Sequence, residues 1–313
     1  MKWLPIHPGK TLVLLLLMSL IYSCYPKHLR NSPKNVKQYI FLGHIYDWNA
    51  KSGNRVDPRI EKIDFKQFDQ IWLGGDLCSA TTIKKSTLDY LDDLFDLGSP
   101  NTHWSVGNHD FRNGNLHFIT DKTHRKLYSS DYSDSLTVIV MNSMMEHSFF
   151  NDSCDYKARQ LEFLYDALDH LKPSTHLVLL MHSILWDDIQ NPPLMEARAS
   201  ANASGSWMDL LCSNHAKFRE TLYPRLEQIQ ANGTQVIIIT GDGGQYDKGY
   251  YYQAPDGMEF YISGINNSFD FSKNEQREKP FNTDPDSILI FTHNLKKGTL
   301  QGAFVQLNSF INN

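Results

Sequence analysis

Six times along this chain a short apolar run stops at a polar residue or motif. Tyr39-Ile40-Phe41-Leu42 leads into Gly43-His44, Ile71-Trp72-Leu73 into Gly74-Gly75-Asp76, and His103-Trp104-Ser105-Val106 into Gly107-Asn108-His109-Asp110. Leu177-Val178-Leu179-Leu180-Met181 leads into His182, Val236-Ile237-Ile238-Ile239-Thr240 into Gly241-Asp242, and the run 136–141 into Asn142. Uninterrupted apolar runs of this length read as strands buried on both faces. Helical patterns lie between them. Residues 86–97 carry Leu88, Leu91, Leu94 and Phe95, with Ser86 placed to cap the start. Residues 158–171 carry Leu161, Leu164, Leu168 and Leu171. Residues 218–229 carry Phe218, Leu222, Leu226 and Ile229 and stop at Asn232-Gly233, with Pro224 either kinking this helix or marking its start. Strand and helix in alternation give an α/β sheet with helices on its faces. In such sheets ligands bind at the carboxyl ends of the strands. One fold assumption therefore brings His44, Asp76, Asn108, His182 and Asp242 to a common rim. Further on, 259–263, 287–293 and 299–307 read as strands, the last two joined as a hairpin through Lys296-Lys297-Gly298. Residues 186–206 and 264–286 read as long polar loops of the kind that form lids or binding surfaces.

With 313 residues and a hydrophobic fraction of 41%, the chain can build one large domain or two small ones. A net charge of -5 argues against a general nucleic-acid-binding surface. The N-terminus has its own pattern. Lys2 and Lys10 precede an apolar run over 11–22, long enough for a signal-peptide core and short for a membrane span. It ends in Leu20-Ile21-Tyr22-Ser23-Cys24, which resembles a bacterial lipobox. That resemblance implies a signal peptide over 1–23, lipidation of Cys24, a polar tether over 24–37, and a membrane-anchored lipoprotein of the bacterial cell envelope. A short uncleaved anchor and a plain signal peptide are the alternatives. The remaining cysteines are Cys78, Cys154 and Cys212, and Cys154 with Cys212 is the pairing to test. Neither a phosphate-cradling Gly-rich loop with Lys-Ser/Thr nor a Gly-x-Ser-x-Gly nucleophile elbow occurs.

Gly107-Asn108-His109-Asp110 resembles the Gly-Asn-His-(Glu or Asp) motif of the calcineurin-like metallophosphoesterases. Gly75-Asp76 is similar to that family's Gly-Asp motif, His182 to its lone histidine after a strand, and 160–164 to the helix before that strand. The resemblance runs over about residues 38–307, within a domain taken as 38–313. It implies a metallophosphoesterase-like four-layer α/β/β/α sandwich. It also implies two divalent metals, roughly 3.5–4 Å apart, which hold a phosphate and lower the pKa of a bound water. Asp76 would bridge the metals, Asn108 would give a carbonyl oxygen, and histidines would give nitrogens suited to Mn, Fe or Zn. His109 would face the phosphate and help the leaving group depart, with Asp110 placed to orient it. His44 belongs to the same constellation.

The departures from the family are specific. Leu42-Gly43-His44 stands where the family has Asp-x-His, and Gly241-Asp242-Gly243-Gly244 where it has Gly-His-x-His. One metal would keep Asp76, Asn108, His182 and Asp242, a harder set that shifts preference toward Mn, Mg or Ca. The other would keep only His44 and the shared Asp76, unless Asp47, Gln245 or Asp247 rebuilds it. One or two divalent metal ions follow. The implied activity is hydrolysis of a phosphomonoester or phosphodiester. The alternatives are a membrane-tethered binding module that has lost turnover, and cleavage of another ester or anhydride. Each residue also has an ordinary structural reading: Asp76 as a cap or turn residue, Asp242-Gly243-Gly244 as a tight turn, His44 and His182 as satisfied core histidines. His103, His117 and His124 carry no matched role, and Trp48, Trp186 and Trp207 suit a pocket wall or ordinary packing.

Overall fold

The computed structural model describes residues 34–47, 51–146, 153–183, 222–242, 249–265 and 285–312. In chain order the first half forms β1 (Val36–Leu42), β2 (Gln70–Leu73), helix α1 (Lys85–Phe95), β3 (Thr102–Trp104), α2 (Asn108–Phe111), α3 (His117–Thr123), β4 (Ser129–Ser133) and β5 (Leu136–Val140). The second half forms α4 (Ser153–Asp169), β6 (His176–Met181), α5 (Tyr223–Ala231), β7 (Gln235–Thr240), β8 (Gly249–Gln253), β9 (Glu259–Ser263), β10 (Ser287–Asn294), β11 (Thr299–Gln306) and α6 (Leu307–Asn312).

The strands build two sheets, in the orders β11-β10-β1-β2-β3 and β4-β5-β6-β7-β9-β8. Side-chain alternation along each strand explains why the apolar runs are unbroken. Tyr39, Phe41, Trp72, Leu289 and Phe291 of the first sheet meet Val138, Val140, Val178, Leu180, Ile237 and Ile239 of the second in one core between the sheets. The intervening residues face outward. Ile40, Leu42, Ile71, Leu73 and Ile290 pack under Leu88, Leu91 and Phe95 of α1 and Ile119 of α3. Leu177, Leu179, Val236 and Ile238 pack under Leu164 and Leu168 of α4 and Leu226 of α5. Three stacked cores make four layers, α/β/β/α, the metallophosphoesterase-like sandwich expected from the motifs.

The elements follow their sequence signals, with instructive shifts. α1 starts at Lys85, so Ser86 lies inside its first turn and does not cap it; the helix stops at Asp96, which takes the left-handed conformation at φ 50°. α5 begins at Tyr223 with Pro224 in its first turn, where proline's missing N–H is harmless. Gly233, at φ 95°, ends it as expected. The last strand stops at Gln306, and Leu307 opens α6.

Two buried polar clusters tie the layers together. Arg59 forks onto Asp57, Nε to Oδ1 at 3.0 Å and Nη2 to Oδ2 at 2.7 Å, and its Nη2 also reaches Asp286 at 2.6 Å. Between the sheets, His176 on β6 and His293 on β10 pack edge to face at 5.3 Å, and the Tyr39 hydroxyl lies 2.8 Å from His293 Nδ1. Cys78 is a buried free thiol. Cys24, the Cys154–Cys212 pairing, Trp48, Trp186, Trp207 and the long loops 186–206 and 266–284 lie outside the described residues. Among the described residues no helix is long and apolar enough to cross a membrane.

Candidate metal centre

Glycines let the strand ends of the two sheets touch. A Cβ on Gly241, after β7, would come within 2.0 Å of the Gly74 carbonyl oxygen, and one on Gly43, after β1, within 2.4 Å of Gly241 Cα. Across the same seam a Cβ on Gly107 would meet Asp76 Oδ1 at 2.1 Å and His182 Cε1 at 2.7 Å. No side chain therefore separates the ends of β1, β2, β6 and β7 or the start of α2, and the residues next to these glycines crowd together. Two of them pay with their backbones: His44 at φ 51° and Asp76 at φ 55° both sit in the left-handed region, a strain of about 1 kcal/mol or more each.

Asp76 is the centre of the group. It is fully buried. Its Oδ1 accepts the His109 backbone N–H at 2.9 Å, while its Oδ2 is buried with no hydrogen-bond partner. Three imidazoles point at it: His182 Nε2 lies 3.6 Å from Oδ1, and His44 Nε2 and His109 Nε2 lie 3.8 and 3.9 Å from Oδ2. The far nitrogen of each ring faces a backbone carbonyl: His182 Nδ1 to Gly74 at 2.7 Å, His109 Nδ1 to Ser79 at 2.9 Å, His44 Nδ1 to Ile265 at 3.4 Å. A carbonyl oxygen can only accept, so each Nδ1 carries a proton and each ring presents its Nε2 to the carboxylate. A cation bound beside Asp76 would find imidazole nitrogens already turned toward it. Histidines that ligate metals are held in this way by the hydrogen bond at their second nitrogen.

The electrostatics agree. Burial pushes His44 down to about 4, against the pull of Asp76, so it is a neutral donor at neutral pH. Burial acts on His182 in the same direction, but Asp76, Asp242 and the Gly74 carbonyl together outweigh it and raise its pKa, a sign that positive charge is favoured there. Burial would raise Asp76, yet His182, His109 and His44 and the His109 N–H hold it below its usual range. Burial lifts Asp242 to about 7, opposed by His182 and reinforced by Asp76.

The expected ligands come together. Asn108 Oδ1 is 3.2 Å and Asp242 Oδ1 3.7 Å from His182 Nε2, beside Asp76 Oδ1. Neighbouring ligands at about 2.1 Å from an octahedral cation stand about 3 Å apart, so Asp76, Asn108, His182 and Asp242 could close on one ion with small movements. On the other side, His44, Asp76 and Asp242 offer ligand atoms within 4.8 Å of one another, and Asp47 is no member of that group. The support for His44 is thus Asp242. Gly244, Gln245 and Asp247 lie outside the described residues. Leu42, in the family's aspartate position, is buried in the apolar core beneath the helices.

Asp110 does not orient His109. Its carboxylate accepts the backbone N–H groups of Asp76 at 2.9 Å, Gly107 at 2.7 Å and Leu77 at 3.3 Å, and the Thr81 hydroxyl at 2.5 Å. It staples the Gly-Asp loop to the Gly-Asn-His loop, and burial together with the Asp76 charge lifts it to about 6. The orienting partner of His109 is the Ser79 carbonyl. Tyr46, unmarked in the sequence, packs its ring 4.7 Å from both His44 and His109. His103 lies away from this group: it is buried in β3, with its Nδ1 3.2 Å from Arg125 Nη1 and 3.5 Å from Asp131.

No protein-family model matches the chain, and no curated protein matches it. Solved structures do. GAP50, described as the anchor in the inner membrane complex of Plasmodium, superposes with a TM-score of 0.55 at 11% identity, over 88% of this chain and 85% of that one. A dimetal phosphatase from Danio rerio gives a TM-score of 0.47 at 10% identity, over 82% of this chain and 92% of that one. Phosphopantetheinyl hydrolase from Mycobacterium tuberculosis gives 0.41 at 10% identity, over 78% and 94%. At such identities the likeness is one of fold.

Proposed function

We propose that this chain is a metal-dependent phosphoesterase that hydrolyses a phosphomonoester or phosphodiester at the rim where its two sheets meet. The observation that carries this reading is the convergence of three Nε2 atoms on the buried Asp76 carboxylate, whose Oδ2 has no hydrogen-bond partner. Asp76, Asn108, His182 and Asp242 would hold a divalent cation, with Mn2+, Fe2+ and Zn2+ the candidates. When bound, such a cation supplies charge stabilisation to a phosphoryl oxygen and lowers the pKa of water. The chain's own residues do the rest. His109, its Nδ1 fixed by Ser79 and its side chain 14% exposed, holds Nε2 3.9 Å from Asp76 Oδ2; with a proton on that nitrogen it could protonate a departing oxygen. Asp110 keeps the two loops that carry Asp76 and His109 in register. The harder oxygen-rich set around His182 favours Mn2+ over Zn2+.

A chromogenic phosphomonoester and a phosphodiester, each with added Mn2+, test this. The wild type is expected to turn over at least one of them and to stop on chelation. His109→Asn is expected to bind Mn2+ normally and lose about 10²–10⁴ in rate. Asp76→Ala is expected to lose both metal and rate. A wild type that binds no divalent cation would overturn the reading. The protein would work at the cell envelope, anchored through lipidated Cys24. Cys24→Ser should then move it from the membrane fraction to the soluble one.

A further inference from the structure

We infer that Asp242 is a second bridging carboxylate, giving one oxygen to an ion beside His182 and the other to an ion beside His44. The inference rests on the metal site proposed above and extends it. Position by position, the motifs assign Asp242 to the His182 side alone and leave His44 with Asp76 as its single partner. The folded chain places Asp242 on both sides. Its Oδ1 stands 3.7 Å from His182 Nε2. It also offers an oxygen within 4.8 Å of the His44 and Asp76 ligand atoms.

The cause is the glycine seam. Gly43 and Gly241 are pressed together backbone to backbone, so the residues that follow them, His44 and Asp242, become neighbours across the two sheets. The Asp242 N–H is fixed on the His182 carbonyl at 3.0 Å, which holds the residue at the boundary between the two histidines. A histidine at this position presents one nitrogen to one ion. A carboxylate has two oxygens and can serve two. The apolar residue at Leu42 removes a ligand from the His44 side, and Asp242 returns one from the opposite sheet. The independent sign of an ion on that side is Asp76 Oδ2, buried, without a hydrogen-bond partner and aimed at His44 Nε2. An octahedral ion spans about 3 Å between adjacent ligands and about 4.2 Å between opposite ones, and the His44, Asp76 and Asp242 atoms all lie within 4.8 Å of one another, so small movements would close them on an ion.

Titration of the purified full chain with Mn2+ alone, followed by native mass spectrometry and EPR, tests this. The wild type is expected to take up two ions with an exchange-coupled spectrum. His44→Ala should hold one ion with an isolated spectrum. Asp242→His should keep the His182-side ion, weaken the other about tenfold or more and lose the coupling. Asp242→Glu should keep the coupled pair. An Asp242→His protein that retains two coupled ions would overturn the bridge. So would a wild type that takes up one ion, unaffected by His44→Ala, though that outcome leaves the proposed hydrolase standing. A wild type with no ion at all would sink both.

Discussion

Gly107 has no room for a methyl group. The nearest atoms to a Cβ there are Asp76 Oδ1 at 2.1 Å, the Asp76 nitrogen at 2.7 Å and His182 Cε1 at 2.7 Å, the nitrogen being backbone and both side chains buried. Gly107→Ala should therefore destabilise the fold by about 1–3 kcal/mol and, by pushing Asp76 from His182, weaken Mn2+ binding. Chemical denaturation and a metal titration read the two effects separately. At this scale the sequence was informative about which residues gather, because His44, Asp76, Asn108, His182 and Asp242 each follow an apolar strand. It was silent about what holds them. The carbonyls of Gly74, Ser79 and Ile265 fix three imidazoles, and every residue has a carbonyl, so no residue type marks that role. Asp110 was misread because adjacency in sequence suggests contact with His109. The two share a helical turn, where consecutive side chains do not face each other.

Helix α1 ends on Asp96 at φ 50°, exposed and with a Cβ that disfavours that conformation. Asp96→Gly should stabilise the protein by about 0.5–1 kcal/mol, measured as a rise in unfolding midpoint at constant denaturant slope. The Arg59 clamp predicts the opposite sign. Asp57 and Asp286 have side chains 1% and 0% exposed, and both lean on one guanidinium. Arg59→Ala removes the guanidinium that two buried carboxylates share and should lose about 3–5 kcal/mol. Arg59→Lys should recover only part, because an ammonium cannot fork onto Asp57 as it reaches Asp286. Among elements, the central strands were visible as apolar runs, since both of their faces are covered. The edge strands of the second sheet were not: β4 reads Ser-Ser-Asp-Tyr-Ser and β8 Gly-Tyr-Tyr-Tyr-Gln, and both are largely open to solvent along their length. A strand as exposed as these two buries too little to impose a pattern on its sequence.

Across the whole molecule, the two sheets meet around a titratable pair. Burial, and then the charge of His293, push His176 down to about 4; burial lowers His293 too, against the pull of Asp134. An unfolded histidine takes up its proton near pH 6.5. Between about 6.5 and about 4 the unfolded chain therefore binds more protons at this pair than the folded one, so the pair's contribution to stability falls as pH drops through that window and is level above it. The pair's share of the loss should approach about 2 kcal/mol, read as the difference between wild type and His176→Gln in urea unfolding at about pH 7.5 and about pH 5. The glycine seam at the opposite end of β6 works by another logic. There the spacing between the sheets is set by main chain resting on main chain at Gly43, Gly74 and Gly241. Chemistry-bearing side chains hang from this joint without bearing its load. Such a joint lets evolution rewrite the chemistry one residue at a time, since an imidazole exchanged for a carboxylate, or an aspartate for a leucine, leaves the hinge of the molecule untouched.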